Sequence, residues 1–406
     1  MQALLWDVFC RVIDNHGDLG VCWRLAADLA GRGHRVRLWV DDARALAWMA
    51  PQGEPGVEVC HWPDEETALP AAGDVVIEAF GCDPPARFVA QMQRPQPPAW
   101  INLEYLSAED YVERSHGLPS PVMSGPGRGL TKHFFYPGFT DRTGGLLREP
   151  GLMAAQASFD ASAWLAARGI DRRPGERLVT LFCYDHAPVT ALLRGLVHAM
   201  EPGRVDDRMH DREQGQAHAP ASVRLLTTPG PATTRVEEAL KTLPAPAGLQ
   251  VQALPWLSQA DYDRLLWAAD LNLVRGEDSF VRAMWAGRPF LWHIYRQDDG
   301  AHEAKLAAFL ARLLDGVEAS QAQAWRTAWA GWNAVAGQSA RLSADWSAAL
   351  PTFLQAAARQ VALRWREKLL QQADLVTQLE AFVSRLRPPA AHRGPADGAH
   401  SARAAG

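Results

Sequence analysis

The stretch that most constrains this chain runs from Leu4 to Leu29. Apolar residues from Leu4 to Val12 predict a strand, the run Asp14-Asn15-His16-Gly17-Asp18-Leu19-Gly20 predicts a polar turn, and Val21, Trp23, Leu25, Ala26 and Leu29 predict a helix. A strand feeding a helix through a tight turn opens a parallel α/β sheet, and the loop after its first strand lies at the carboxyl edge, where such sheets bind ligands. Gly17 and Gly20 give that turn the backbone freedom it needs. Asp14 and Asp18 place two carboxylates on it. Asp18 alone reads equally well as a helix N-cap, a position Asp favours. Capping leaves Asp14 and Asn15 unexplained, whereas paired acids at a strand's carboxyl end point to general-base chemistry.

The same alternation continues along the chain. Strands are predicted at Val36–Val40, Val57–Trp62, Asp74–Ala79 (running on into Gly81) and Ala99–Leu103, with a short helix at Ala43–Met49. Strands alternating with helices imply a parallel sheet covered on both faces. The pattern loosens between 150 and 177, and the polar turn Asp171–Glu176 marks a domain boundary. A second series comes next: strands at Leu178–Tyr184, Val223–Thr227, Leu249–Leu254 and Leu271–Val274, and helices at Ala187–Met200, Thr233–Thr242 and Gln259–Ala269. Helices dominate from His302, with a long amphipathic region from Ala344 to Leu386. Residues 203–221 are polar and aperiodic, the signature of a surface insertion, and the tail after Pro388 is rich in Ala, Gly and Pro, the signature of disorder. The expected organisation is a Rossmann-like domain over 1–172, a second over 173–365, a C-terminal helix over 366–387 open to packing back on the first domain, and the tail 388–406. At 406 residues, two domains of ordinary size are expected. Two doubly wound α/β halves facing a central cleft, with a helical C-terminus, describe the GT-B architecture.

Composition excludes several classes. A net charge of −5 gives no broad basic face, so no nucleic-acid partner is expected. Cys10, Cys22, Cys60, Cys82 and Cys183 are scattered without a CxxC pair, which indicates neither a zinc site nor a disulfide framework and fits a reducing cytosol. No apolar run reaches the roughly 18 residues of a membrane span and no signal pattern opens the chain, so a cytoplasmic protein without membrane association is expected. No GxGxxG comes after the first strand, which weakens a dehydrogenase reading. Asp261-Tyr262-Asp263 is formally a DxD, the pattern that holds a metal-bound nucleotide sugar elsewhere. It falls in the first turn of a predicted helix, where acids favour the dipole, and no metal site is assigned.

A second informative run is Val274 to Pro289. A strand ends at Arg275-Gly276 and a helix begins at Asp278-Ser279, with either residue as its N-cap. Unpaired N–H groups and the helix dipole make such a start an anion site, and Arg275 with Gly276 lies where a diphosphate approaches closely. Glu277 repels phosphate and suits sugar or ribose hydroxyls; the alternative is a plainly capped helix. Glu104 and Tyr105 read as loop anchors at a strand end, and Lys132–Thr140, aromatic and broken by Pro and Gly, is predicted as neither strand nor helix. Asp298 and Asp299 read equally as helix caps or donor-side residues.

The runs FCRVIDNHGDLGVCWRLA, NLEYLSAEDYVERSHGLPSP, KHFFYPGF followed by TDRTGGLLRE, and RGEDSFVRA resemble signatures of the EarP family, bacterial protein-arginine rhamnosyltransferases that modify elongation factor P. The resemblance implies transfer of L-rhamnose from the substrate dTDP-β-L-rhamnose to an arginine of elongation factor P, with inversion and with neither cofactor nor metal. It implies Asp18 as general base, Asp14 orienting the guanidinium and Glu277 positioning the sugar. Trp256 and Gln259 match the positions that hold the thymine base, although Ser258 replaces an expected proline. Phe182 and Tyr184 match donor-pocket positions, beside Arg275, Asp278, Ser279 and Gly17. Two other readings stand beside it: a GT-B transferase with a small-molecule or lipid acceptor, and a non-catalytic nucleotide-binding module.

Overall fold

The computed structural model describes residues 3–13, 16–64, 68–201, 222–243, 247–297, 300–334 and 346–387. Asp14, Asn15, Asp298, Asp299, the insertion 203–221 and the tail 388–406 lie outside these described residues. The first half builds a sheet from β1 (Leu5–Cys10), β2 (Arg35–Val40), β3 (Val57–His61), β4 (Val75–Ala79), β5 (Ala99–Leu103), β6 (Pro119–Pro121) and β7 (Thr131–Phe135). Its order is β3-β2-β1-β4-β5-β7-β6, parallel throughout except for the β6–β7 pair. The second half builds an all-parallel sheet from β8 (Glu176–Leu181), β9 (Ser222–Thr227), β10 (Leu249–Ala253), β11 (Leu271–Arg275) and β12 (Phe290–His293), ordered β10-β9-β8-β11-β12.

Both sheets are doubly wound, and their strand order reverses between β1 and β4 and between β8 and β11. At such a reversal the connecting segments part to opposite faces and open a crevice at the carboxyl ends. The central strands are buried on both faces, which is why β1 reads as one apolar run. Trp6, Val8 and Cys10 join the core beneath the first helix, Gly17–Gly31, while Phe9 packs in the opposite layer with Trp39, Val76 and Phe88. Asp7, on that second face, is fully buried and is paired by the Arg37 guanidinium at 2.6 and 2.8 Å.

Three elements differ from the sequence expectation. Lys132 to Phe135 is not irregular but belongs to β7, paired parallel with β5; the aromatic residues favour a strand, and Pro137-Gly138 interrupts the chain only after β7 has ended. β12, unforeseen, is a four-residue strand closing the second sheet directly after Gly287-Arg288-Pro289. The amphipathic region after Ala344 is divided into Trp346–Ala349, Leu350–Phe353, Ala356–Leu370 and Leu375–Leu386. Asp374 starts the last of these by accepting the Thr377 N–H at 2.8 Å. That helix crosses to the first half: Leu375, Leu379, Phe382 and Val383 enter its core, and Arg32 pairs with Asp374 at 2.7 Å and Glu380 at 3.2 Å. Among the described residues no helix is long and apolar enough to cross a membrane.

Candidate active site

The carboxyl edges of the two sheets face one cleft with about 660 Å³ of open space, lined from the first half by His16, Gly17, Trp48 and Met49 and from the second by residues at the ends of β8, β10 and β11. Arg275, at the end of β11, is 6% exposed. Its guanidinium lies 4.5 Å from the Phe182 ring and 4.7 Å from the Tyr184 ring, and among the described residues its one hydrogen bond goes to the Cys183 carbonyl at 3.4 Å. Phe182 and Tyr184 are not strand residues: β8 ends at Leu181, so both stand at the carboxyl edge. Ring quadrupoles stabilise the buried cation but leave its charge uncancelled, so it is poised for an anion.

Gly276 comes next with φ 65° and ψ −176°, a conformation essentially closed to other residues. The helix begins at Glu277, with Gly276 as its N-cap, so neither Asp278 nor Ser279 caps it. An N-cap with no side chain leaves the first-turn N–H groups for an outside acceptor. Ser279 is buried and lines the cleft.

Asp278 also lines the cleft, but its carboxylate is turned to the first half. Oδ1 is 2.7 Å from Arg24 Nε, and Oδ2 accepts from Gln259 Nε2 at 3.3 Å. Gln259 Nε2 also donates to the Gly20 carbonyl at 3.0 Å, so the side chain matched to base recognition bridges the two halves. The role of Gly17 and Gly20 differs from the expected one: both lie within the first helix and neither has a left-handed backbone. Gly20 is needed for proximity instead, since a Cβ there would stand 3.1 Å from Asp278 Oδ2 and 3.3 Å from Gln259 Nε2.

Behind this contact lies a buried charge cluster. Arg24 reaches Asp263 at 3.0 Å and Glu149 at 3.2 Å, and Arg282 reaches the same two acids at 2.6 Å each. Burial works against ionisation of Glu149, but Arg282 and Arg24 prevail and hold its carboxyl down to about 2. Burial pushes the Asp278 carboxyl up, with Arg24 and Arg282 opposing. The sequence reading missed this cluster; its one local signal was an arginine set among apolar residues on the first helix.

Asp18 is buried, and its Oδ2 accepts the Ile13 N–H at 2.9 Å. The helix starts at Gly17 with His16 as N-cap, so Asp18 sits in the first turn and reaches back to the strand exit rather than capping. Glu277 accepts the Leu106 N–H at 3.0 Å through Oε2, and its Oε1 is 3.8 Å from Lys305 Nζ. Tyr105 stacks on Phe80 with centroids 4.5 Å apart. Glu104 accepts from Asn102 Nδ2 at 2.9 Å, and burial raises its carboxyl.

Trp256 is 49% exposed and stands at the cleft mouth, its ring centroid 4.4 Å from that of Trp48 in the other half and tilted 33° to it, with His16 edge-on to both. Ser258, where a proline was expected, caps the next helix by accepting the Asp261 N–H at 3.1 Å. Both acids of the DxD are held by arginines: Asp261 by Arg168 and Arg264 at 2.7 and 2.9 Å, Asp263 by Arg24 and Arg282. Among the described residues no group of three His, Cys, Asp or Glu side chains could hold a metal.

Comparison with known proteins agrees with this architecture. The family described as "Elongation-Factor P (EF-P) rhamnosyltransferase EarP" matches residues 6–384. The protein-arginine rhamnosyltransferase of Pseudomonas putida is 44% identical over 93% of this chain and 98% of its own length, and that of Pseudomonas aeruginosa is 42% identical with the same coverage. A structure solved to explain EarP-mediated arginine glycosylation of translation elongation factor EF-P is similar with a TM-score of 0.58 and 31% identity, covering 94% of this chain and 99% of that one. Arabidopsis thaliana UGT89C1, solved with quercetin, shares the fold at 12% identity and a TM-score of 0.51, covering 95% of this chain and 100% of that one. With two doubly wound halves of GT-B type and a family match along nearly its whole length, the chain belongs to the EarP family of elongation-factor-P rhamnosyltransferases.

Proposed function

We propose that this protein transfers L-rhamnose from dTDP-β-L-rhamnose to an arginine side chain of elongation factor P, with inversion at the anomeric carbon and without a metal. The observation that carries this reading is one cleft lined from both halves by helix starts: Gly17, next to the buried Asp18, on one side, and Arg275 with Gly276, Asp278 and Ser279 on the other, the Arg275 guanidinium being paired with no carboxylate among the described residues. The family description and the relatives' names support rhamnosyl transfer to arginine and elongation factor P as the acceptor; dTDP-β-L-rhamnose enters as the donor that the sequence resemblance implies.

Arginine is a reluctant nucleophile, because its guanidinium has a pKa above about 12 and its lone pairs are delocalised. A carboxylate within hydrogen-bond reach polarises an N–H and accepts its proton as the C–N bond forms. Asp18 takes that role, with its second oxygen held by the Ile13 N–H so that its orientation is fixed. Asp14 orients the guanidinium. As the anomeric bond to the diphosphate breaks, charge grows on the leaving group; Arg275 and the first-turn N–H groups of the Glu277 helix stabilise it electrostatically. Trp256 offers a face to the thymine base and Gln259 its amide oxygen. Glu277 is oriented by the Leu106 N–H and serves the sugar hydroxyls. Cleft closure excludes water and limits donor hydrolysis.

The test is intact-mass measurement of elongation factor P after incubation with the protein and dTDP-rhamnose. The expected result is a gain of one deoxyhexosyl residue, lost when the acceptor arginine is replaced by lysine. Binding of dTDP-rhamnose with no mass gain would leave a nucleotide-binding module instead.

A further inference from the structure

We propose that Arg24 is a positioning residue for transfer: it sets the register between the helix start that carries Asp18 and the helix start that receives the donor diphosphate. The inference rests on the functional reading above. Arg24 lies within the first helix, and it is 6% exposed. Its Nε contacts Asp278 at 2.7 Å, one residue into the Glu277 helix, while its Nη atoms contact Asp263 on the preceding helix and Glu149 on the segment joining the two halves. One side chain therefore ties both candidate catalytic helix starts and the connector.

Three features distinguish this junction from ordinary interface packing. A buried ion cluster rarely stabilises more than apolar residues of the same volume would, so its use here fits a role in setting arrangement, with Arg24 directing hydrogen bonds to Asp263 and Glu149 and ion-paired to Asp278. The helices meet at Gly20, where even one methyl group would press on Asp278 and Gln259. Gln259 Nε2 donates to the Gly20 carbonyl and to Asp278 together, so the base-recognition position shares the same anchor. The separation of Asp18 from the diphosphate site is thus fixed at Gly20 and Arg24, about half a turn and just under two turns along the helix from Asp18 itself.

The experiment compares Arg24→Lys, Arg24→Met and Gly20→Ala with wild type for melting temperature, dTDP affinity by calorimetry, and kcat and KM in rhamnosyl transfer. Wild-type transfer is measured first; its absence would sink the functional reading and this proposal with it. In a positioning role, Gly20→Ala and Arg24→Lys bind dTDP within about 3-fold of wild type while kcat falls by roughly 5- to 10-fold, less than the roughly 100-fold of a 1 Å misplacement because the side chains facing an added Cβ need give way by only a few tenths of an ångström. Arg24→Met loses more kcat, and Arg24→Lys recovers part of that loss. If Arg24→Met does not fold, the other two variants decide. Unchanged kcat in Gly20→Ala and Arg24→Lys, or a loss of kcat that merely tracks lost dTDP affinity or melting temperature, would overturn the proposal.

Discussion

Arg275→Met is the perturbation whose outcome derives most directly from the donor-site geometry. The guanidinium is held by two aromatic rings and one long hydrogen bond, with no carboxylate pairing it among the described residues. On the proposed reading a donor diphosphate pairs with it through charge-assisted hydrogen bonds, worth about 1.5–3 kcal/mol when lost. Methionine keeps the stem volume and favourable sulfur contacts with Phe182 and Tyr184. Its substitution should therefore remove the phosphate interaction and little else, weakening dTDP binding by roughly 10- to 150-fold at about 1.4 kcal/mol per factor of ten. Calorimetry with dTDP and with thymidine separates the phosphate from the base: thymidine affinity should not change. Removing an unpaired buried cation should also leave the melting temperature equal or higher, as expected when a desolvated charge disappears. An Arg275→Met protein binding dTDP within about twofold of wild type would refute the assignment of Arg275 to the diphosphate.

The same geometry fixes other outcomes. Trp256→Ala should weaken dTDP and thymidine alike, by about 1–3 kcal/mol for a lost base–aromatic stack, as read by calorimetry; a loss confined to dTDP would contradict stacking. Transfer activity should survive EDTA, and loss restored by added magnesium or manganese would overturn the metal-independent reading. The buried His293 ring, whose Nδ1 accepts the Tyr184 N–H at 3.2 Å, is pushed down to about 3 by burial, then by His186 and Arg275. As pH falls below about 6.5 the unfolded chain takes up a proton that the folded ring refuses, so stability falls with a slope approaching about 1.4 kcal/mol per pH unit from this group. Urea denaturation of His293→Gln between about pH 6.5 and 5 should show a shallower loss than wild type; equal slopes would place the proton elsewhere.

The parts of the fold legible in the sequence were those whose pattern is local. β1 announced itself because a central parallel strand is apolar on both faces, and the strand-turn-helix at Gly17 and at Gly276 carries its own glycine and polar signals. β12 was hidden because four residues squeezed between Pro289 and the next loop show no period. Lys132–Phe135 was misread because Pro137 and Gly138 lent their irregularity to a strand they merely terminate. At the site, Arg275 was legible from its place at a strand end. Arg24 was not, because its partners Glu149, Asp263 and Asp278 are distant in sequence and only the fold brings them together. For the same reason Asp278 resembled a cap while serving as an ion-pair partner, and Gly20 resembled a turn residue while admitting a neighbouring helix.

The central claim is that Asp18 is the base, and one substitution separates that role from a structural one. Asn keeps the size of Asp and a carbonyl oxygen able to accept the Ile13 N–H, but it cannot take a proton. Single-turnover transfer by Asp18→Asn at saturating elongation factor P, with dTDP-rhamnose affinity measured separately, should show near-wild-type donor binding and a rate lower by at least ~100-fold, the lower range for a lost general base. A fully active Asp18→Asn enzyme would contradict the account and return Asp18 to an anchor of the turn before the first helix.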